Sequence, residues 1–294
     1  MSKFEGWIKH SDAVDSDKFP IYTEDYVNQV YTMDSPEIKS RMNIMDVSNV
    51  ASYSLLTYVA PARYNQGDLG LCFAFAGSGI VEYYLKNTPP LGVVEELSEM
   101  FLGYYSRYIL EGNKPPTGDQ GSTILATAQA LQKFGSCIEK LWPYLDANEN
   151  SEPSREAVNA AQTLEVGKYF AIPNDSNKIT SIKKSLYAGV PLMYGSEVHQ
   201  SIMKVGKDGL EPYAPEKSTT DKVVGGHARY IIGWDDSKQI PNAPTKGAFQ
   251  VMNSWGPDWG DNGTSWISYQ VWKDQETNDM GITNIVISTP QSQG

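Results

Sequence analysis

Three short segments of the chain carry residue types that together can perform nucleophilic catalysis. Cys72 follows a glycine-bearing stretch, His227 follows two glycines, and Asn253 stands directly before Ser254 and Trp255. A cysteine thiolate is a strong nucleophile when a helix N-terminus and a nearby imidazolium stabilise its charge. An amide side chain can in turn orient the imidazole by accepting its second ring N–H. The three segments therefore predict acyl chemistry through a thioester.

The sequence around Cys72 supports this interpretation. Residues from Cys72 to about Asn87 are rich in Ala, Phe, Ile, Tyr and Leu and predict a helix, and Gly67 and Gly70 predict an irregular loop just before it. Cys72 then lies in the first helical turn. An isolated free cysteine is more often a buried, inert thiol. The histidine and asparagine segments downstream favour the nucleophile instead.

Four segments resemble the papain-like cysteine peptidases. Gln66 lies six positions before Cys72, where that family places its oxyanion-hole glutamine. Gly225 to Ala228 resembles the histidine segment, and residues 253–263 resemble the asparagine segment, which is the most specific of the four. A weaker match runs from Gly118 to Tyr144, so the resemblance spans most of residues 55 to 275.

The resemblance implies a role for each matching residue. Cys72 is the nucleophile, His227 is the acid and base, and Asn253 orients the imidazole. Gln66 and the Cys72 backbone N–H stabilise the oxyanion. His227 is the preferred base over His199, which we expect at the surface or the cleft edge because it lacks the glycine pair.

The resemblance also implies residues that bind substrate. Gly121 is expected to pair with the substrate backbone, and Ala228 to lie beside the side-chain pocket. Trp255 is also expected in the substrate-binding region, and the resemblance implies that it shields the histidine–asparagine hydrogen bond from water.

Three residues depart from the family pattern around the nucleophile. The family usually has Cys-Gly-Ser-Cys-Trp, whereas this chain has leucine at positions 69 and 71 and phenylalanine after Cys72. The disulfide beside the nucleophile is therefore absent, and Leu71 is expected to affect packing or access beside the thiol.

Composition narrows the class of protein. Two cysteines in 294 residues form no disulfide framework, and a net charge of −11 opposes binding to nucleic acid or to an anionic membrane. No signal-peptide pattern and no apolar stretch of membrane-spanning length is present. We expect a soluble chain that is cytoplasmic as made, and export by a signal-independent route is left open. A peptide or protein is the expected partner, with no cofactor and no metal; the oligomeric state is left open.

The expected fold class is α+β, a papain-like fold of two lobes with the active-site cleft between them. Residues 1–50 are an N-terminal extension, residues 51–165 a mainly helical lobe with the nucleophile, and residues 166–294 a β-rich, barrel-like lobe with the histidine and asparagine. The predicted strands cover residues 169–172, 191–194, 228–233, 248–252 and 265–268, and a helix is predicted over residues 179–186.

Two questions stay open at the level of sequence. Residues 1–50 are either an inhibitory segment along the cleft or an arm packed outside the lobes, with the arm slightly preferred. The expected function is that of a cysteine peptidase; a latent or silent peptide-binding protein and a thioester-forming acyltransferase are the alternatives.

Overall fold

The computed structural model describes most of the chain after residue 46 and two short pieces before it. The described residues are 6–9, 31–32, 46–59, 64–87, 95–215, 217–275, 277–283 and 285–287.

Four helices form the first part of the fold. They are α1 (Cys72–Asn87), α2 (Glu99–Leu110), α3 (Ile124–Phe134) and α4 (Arg155–Ala161). Helix α1 begins at the residue predicted from the sequence and is buried along almost its whole length, from Cys72 to Tyr83. A helix that is buried on all sides serves as the centre of the packing around it. The first residue of α1 is therefore held firmly in place.

The second part of the fold is a sheet of eight strands with order β1-β4-β9-β5-β6-β7-β8, in which β2 also pairs with β6. All its pairs are antiparallel except β1 with β4. The strands are β1 (Tyr31–Thr32), β2 (Ser52–Ser54), β4 (Tyr169–Ala171), β5 (Leu192–His199), β6 (Val223–Asp235), β7 (Ala248–Met252), β8 (Thr264–Ser268) and β9 (Asn278–Ile282). Strands β3 (Leu164–Val166) and β10 (Ile285–Ile287) form a separate antiparallel pair, and helices α5 (Lys178–Tyr187) and α6 (Val271–Asp274) accompany the sheet.

The α+β class predicted from the sequence is confirmed, but the barrel-like description of the second lobe needs correction. Among the described residues, the sheet ends at β8 on one side and at β1 on the other, and these strands do not pair. The sheet is therefore open. Alternation of apolar residues predicts a strand but not which strand it pairs with. The sequence pattern therefore could not predict whether the sheet closes into a barrel.

Contacts between α1 and β6 join the two parts. Gly79 of α1 lies against the ring of Tyr230 of β6, and a Cβ at Gly79 would come within 2.6 Å of that ring. Leu71 is fully buried and its methyl groups lie next to Gly103 of α2. The side chain of Leu71 thus packs inside the helical part. The close approach of α1 to β6 brings Cys72 to the strand that carries His227.

None of the helices in the described part of the chain is long and apolar enough to cross a bilayer. Within the same residues, no group of three or more His, Cys, Asp or Glu side chains is arranged to hold a metal ion.

Candidate active site

The thiol of Cys72 lies where the helical part meets the sheet. Cys72 is the first residue of α1, so the partial positive charge of the helix N-terminus acts on its sulfur. The backbone N–H of Ala228 on β6 donates a hydrogen bond to the sulfur over 3.2 Å. Because Ala228 directly follows His227, this bond brings the predicted base to the predicted nucleophile.

The imidazole of His227 is held by an amide and an indole. Its Nε2 lies 2.7 Å from Oδ1 of Asn253, which also accepts the backbone N–H of Ser254. The indole of Trp255 stacks on the imidazole, with ring centres 4.8 Å apart and an angle of 23° between the planes. Both His227 and Asn253 are buried. The amide fixes the rotation of the imidazole and the indole covers its hydrogen bond to Asn253.

Gln66 occupies a fixed position in the loop before the nucleophile. Its Nε2 donates to the carbonyl of Leu69 at 2.9 Å, and its Oε1 accepts the hydroxyl of Ser254 at 2.5 Å. Its backbone N–H donates to the carbonyl of Ser254, and Tyr144 donates its hydroxyl to the carbonyl of Gln66. Gln66 is completely buried. The loop before Cys72 and the segment after Asn253 therefore form one connected unit.

The environment of Cys72 favours the neutral thiol in this conformation. Burial raises the pKa of the Cys72 thiol to about 12, although the backbone N–H groups of Ala228 and Phe73 act in the opposite direction. Burial raises a thiol pKa because the thiolate loses its solvation. The sulfur is fully covered here, and part of what covers it belongs to the N-terminal extension.

Residues 6–8 of the N-terminal extension lie over the thiol. Gly6 is so close to it that a Cβ at this position would lie 2.8 Å from the Cys72 sulfur. The segment pairs with Ser122 in parallel: the N–H of Ser122 donates to the carbonyl of Gly6, and the N–H of Ile8 donates to the carbonyl of Ser122, each over 2.9 Å. Of the two expectations for residues 1–50, this part follows the one in which the extension lies along the cleft.

Trp7 fills a space between two adjacent strands. Its side chain is 4% exposed and lies against Gly195 of β5 and Gly226 of β6. A Cβ on Gly195 would overlap the indole nitrogen, and one on Gly226 would come within 2.5 Å of the indole ring. Two glycines at this place thus create room for a large aromatic side chain next to the nucleophile.

The three residues assigned to substrate binding all border this region. Gly121 is buried with φ of +67° and precedes the residue that pairs with the extension. Ala228 contacts the thiol through its N–H, and Trp255 covers His227.

Other residues of the site were not found from the sequence. Ser254 and Asp119 bond to the loop before Cys72, and Trp7 had been noted only as one of several aromatic residues in the extension. His199 was expected at the surface or the cleft edge; it is buried, and its Nε2 lies 3.1 Å from the carbonyl of Pro215. The surface position was wrong because exposure had been judged from neighbouring sequence alone.

Known structures define the class of fold. The chain is similar to xylellain, a cysteine protease from Xylella fastidiosa, with a TM-score of 0.70 and 24% identity over 97% of this chain and 98% of that chain. The architecture is thus that of a cysteine-protease fold, with a helical part and an antiparallel sheet that meet at a thiol.

Sequence comparison identifies the family. The sequence profile of the papain family cysteine proteases matches residues 54–289, so the chain belongs to this family. An uncharacterised peptidase C1-like protein of Acanthamoeba polyphaga mimivirus is 27% identical over 229 residues, which are 74% of this chain and 67% of that protein. Cathepsin K of Mus musculus is 24% identical over 263 residues, 86% of this chain and 67% of that protein. This membership supports a peptidase function in general terms.

Proposed function

We propose that the protein hydrolyses peptide bonds in peptide or protein substrates through a covalent thioester. Cys72 attacks the substrate carbonyl as a thiolate, with protonated His227 beside it. His227 then gives its proton to the leaving amine. A water molecule, deprotonated by His227, attacks the thioester and releases the acid product and the thiol. Asn253 holds the imidazole in the orientation that both proton transfers need.

The negative charge that develops on the substrate oxygen needs donors that are already in place. Gln66 supplies its side-chain amide and Cys72 its backbone N–H. Removal of one such donor in other enzymes costs about 3 kcal/mol of transition-state stabilisation. The bond from Ser254 to Oε1 sets the direction of the Gln66 amide before the charge forms.

One observation carries this proposal above the others. The strand that holds His227 donates a backbone N–H to the Cys72 sulfur, while Nε2 of the same histidine is bonded to Asn253. A buried cysteine with a purely structural role does not require a histidine whose imidazole is oriented by an amide. Thiol, imidazole and amide in this order are the groups that thioester chemistry requires.

The conformation described here is the latent form of the enzyme. Gly6 lies against the sulfur and Trp7 fills the adjacent space, so a substrate cannot reach Cys72 until the segment leaves. Residues 6–8 form backbone hydrogen bonds with Ser122. Ser122 lies next to Gly121, to which the resemblance assigns backbone pairing with the substrate. Latency therefore arises from competition for the same backbone and the same pocket.

Hydrolysis of a fluorogenic peptide library tests the function. The full-length chain, a Trp7→Ala variant and a Trp7→Ala/Cys72→Ala variant are compared, with products identified by mass spectrometry. Loss of the indole contacts should raise turnover at least about 10-fold over the full-length chain, because truncation of a buried tryptophan costs about 3 to 5 kcal/mol. The double variant should be inactive.

Two alternatives predict other outcomes of the same experiment. An acyltransferase would pass the acyl group to an added amine in preference to water, and the amide product would dominate. A silent peptide-binding protein would show no turnover in Trp7→Ala, although peptides would still bind. Equal turnover with and without Cys72 would contradict the proposed nucleophile.

A further inference from the structure

The loop before the nucleophile is tied to the loop that pairs with the extension by a single carboxylate. Both oxygens of Asp119 accept the backbone N–H of Gly70, at 2.9 and 2.8 Å. Gly70 lies two residues before Cys72, and Asp119 lies three residues before Ser122. The bond thus joins the segment that holds the thiol to the segment that holds the occupant of the cleft.

No covalent bond joins these two segments. Cys72 and Cys137 are both free thiols, and the cysteine that the family has three positions before its nucleophile is Leu69 in this chain. A charge-assisted hydrogen bond is about twice as strong as one between neutral groups, and the two oxygens define its direction. Asp119 is therefore placed to do by hydrogen bonding what a cross-link would do covalently.

Asp119 is itself held from the other side. Arg107 of α2 is completely buried and donates to the carbonyl of Gly118, directly before Asp119, and to the carbonyl of Glu149. Its guanidinium also interacts electrostatically with the carboxylate of Asp119. A helix in the core thereby fixes the loop, and the loop fixes Gly70.

We infer that Asp119 is a positioning residue, which sets the distance between the backbone of Gly121 and Ser122, where substrate is proposed to bind, and the Cys72 thiol. The space between Asp119 and Gly70 is fitted closely, since a Cβ on Gly70 would lie 2.8 Å from Oδ1 of Asp119. The charge of the carboxylate by itself works against a thiolate at Cys72. The contribution of Asp119 to catalysis is therefore geometric and not electrostatic.

This inference rests on the proposed function, and its test uses the Trp7→Ala chain, in which the cleft is expected to open. In that background, Asp119→Ala should lower kcat/KM for peptides about 10- to 100-fold, as expected for loss of a hydrogen bond to a charged group. Asp119→Asn should stay within about 5-fold of its parent, because the amide oxygen still accepts the N–H of Gly70. Asp175→Ala is the matched control, since Asp175 also accepts a backbone N–H, that of Asn177, in an exposed loop.

A second measurement separates positioning from damage to the thiol. Iodoacetamide is small and does not use the Ser122 backbone, so its rate of reaction with Cys72 should change less than about 3-fold in Asp119→Ala. The inference is overturned if Asp119→Ala matches the Asp175→Ala control, if alkylation falls in parallel with hydrolysis, or if Asp119→Asn is as impaired as Asp119→Ala.

Amide hydrogen exchange in the full-length chain makes the test independent of turnover. Asp119→Ala should speed exchange at Gly70 at least about 10-fold relative to Asp175→Ala, because the donor loses its acceptor. Unchanged exchange at Gly70 would refute the positioning role. Faster exchange at Gly70 together with no turnover in Trp7→Ala would support the bond between Asp119 and Gly70 but would reject the proposed function.

Discussion

At the scale of single residues, the position of Gln66 depends on one hydroxyl. Ser254 donates to Oε1 of Gln66, while Nε2 of the same side chain donates to Leu69. Ser254 also follows Asn253, whose Oδ1 accepts its backbone N–H. One residue thereby connects the proposed oxyanion donor with the amide that orients His227.

This arrangement predicts a graded loss of activity. In the Trp7→Ala background, Gln66→Ala should lower kcat about 100-fold with little change in KM, because a donor to the oxyanion acts mainly in the transition state. Ser254→Ala leaves the amide in place but less well oriented, so kcat should fall only about 3- to 10-fold. Steady-state kinetics of both variants give the comparison. Equal losses, or a loss confined to KM, would contradict the assigned roles.

At the scale of elements, the occupied cleft lies between two strands and a loop. Residues 6–8 pair with Ser122, and Trp7 rests on Gly195 of β5 and Gly226 of β6. The segment is held by two backbone bonds and by one buried indole. Burial of an indole accounts for the larger share of such binding, since backbone bonds to water are exchanged for similar bonds.

A methyl group on the strand should therefore dislodge the segment. In Gly195→Ala the new Cβ overlaps the Trp7 indole, and alkylation of Cys72 by iodoacetamide should become about 10-fold faster or more. Gly206→Ala is the control, because a Cβ there meets only an aspartate oxygen, at 3.4 Å. Alkylation rates that are equal in the two variants would show that Trp7 does not close the cleft.

At the scale of the whole molecule, three buried or half-buried carboxyl groups lie in the helical part. Glu82 accepts the hydroxyl of Tyr64 and the N–H of Leu97. Burial, together with the charge of Glu82, raises the pKa of Glu99 well above its usual value. Burial raises the pKa of Glu139 to about 7, opposed by the N–H of Tyr144 and assisted by the charge of Glu96. The folded protein thus favours the protonated forms of Glu99 and Glu139.

The contribution of these two groups to the free energy of unfolding should consequently fall as pH rises. The pKa of Glu139 is higher in the folded than in the unfolded state, where it is about 4.5, so its contribution is complete below pH 4.5 and lost as pH approaches 7. Solvent screening of this half-exposed group reduces the effect to about 1 kcal/mol. Glu139→Gln keeps an acceptor for the N–H of Tyr144. In this variant the free energy of unfolding, measured by denaturant titration, should fall by about 1 kcal/mol less between pH 4.5 and 7 than in the parent. The exposed control Glu152→Gln should show no such difference; if both behave alike, Glu139 is not the titrating group.

The elements of the fold and the residues of the candidate site were predicted from the sequence, but the contacts between residues far apart in the chain were not. Helix α1 and strand β7 were predicted with their observed limits, because apolar periodicity is a local property. The approach of Gly6 to Cys72, and that of Asp119 to Gly70, bring together residues 66 and 49 positions apart. No local pattern in the sequence indicates either contact. Gly195 and Gly226 could equally have been weak positions within their strands, so they did not predict a space for Trp7.

The most direct test of the central claim is the rate at which a peptidyl epoxide forms an adduct with Cys72, followed by intact-protein mass spectrometry. The full-length chain should react slowly and Trp7→Ala at least about 10-fold faster, each with one adduct, and Cys72→Ala should form none. Equal rates with and without Trp7, or an adduct that persists in Cys72→Ala, would contradict a Cys72 nucleophile that residues 6–8 cover.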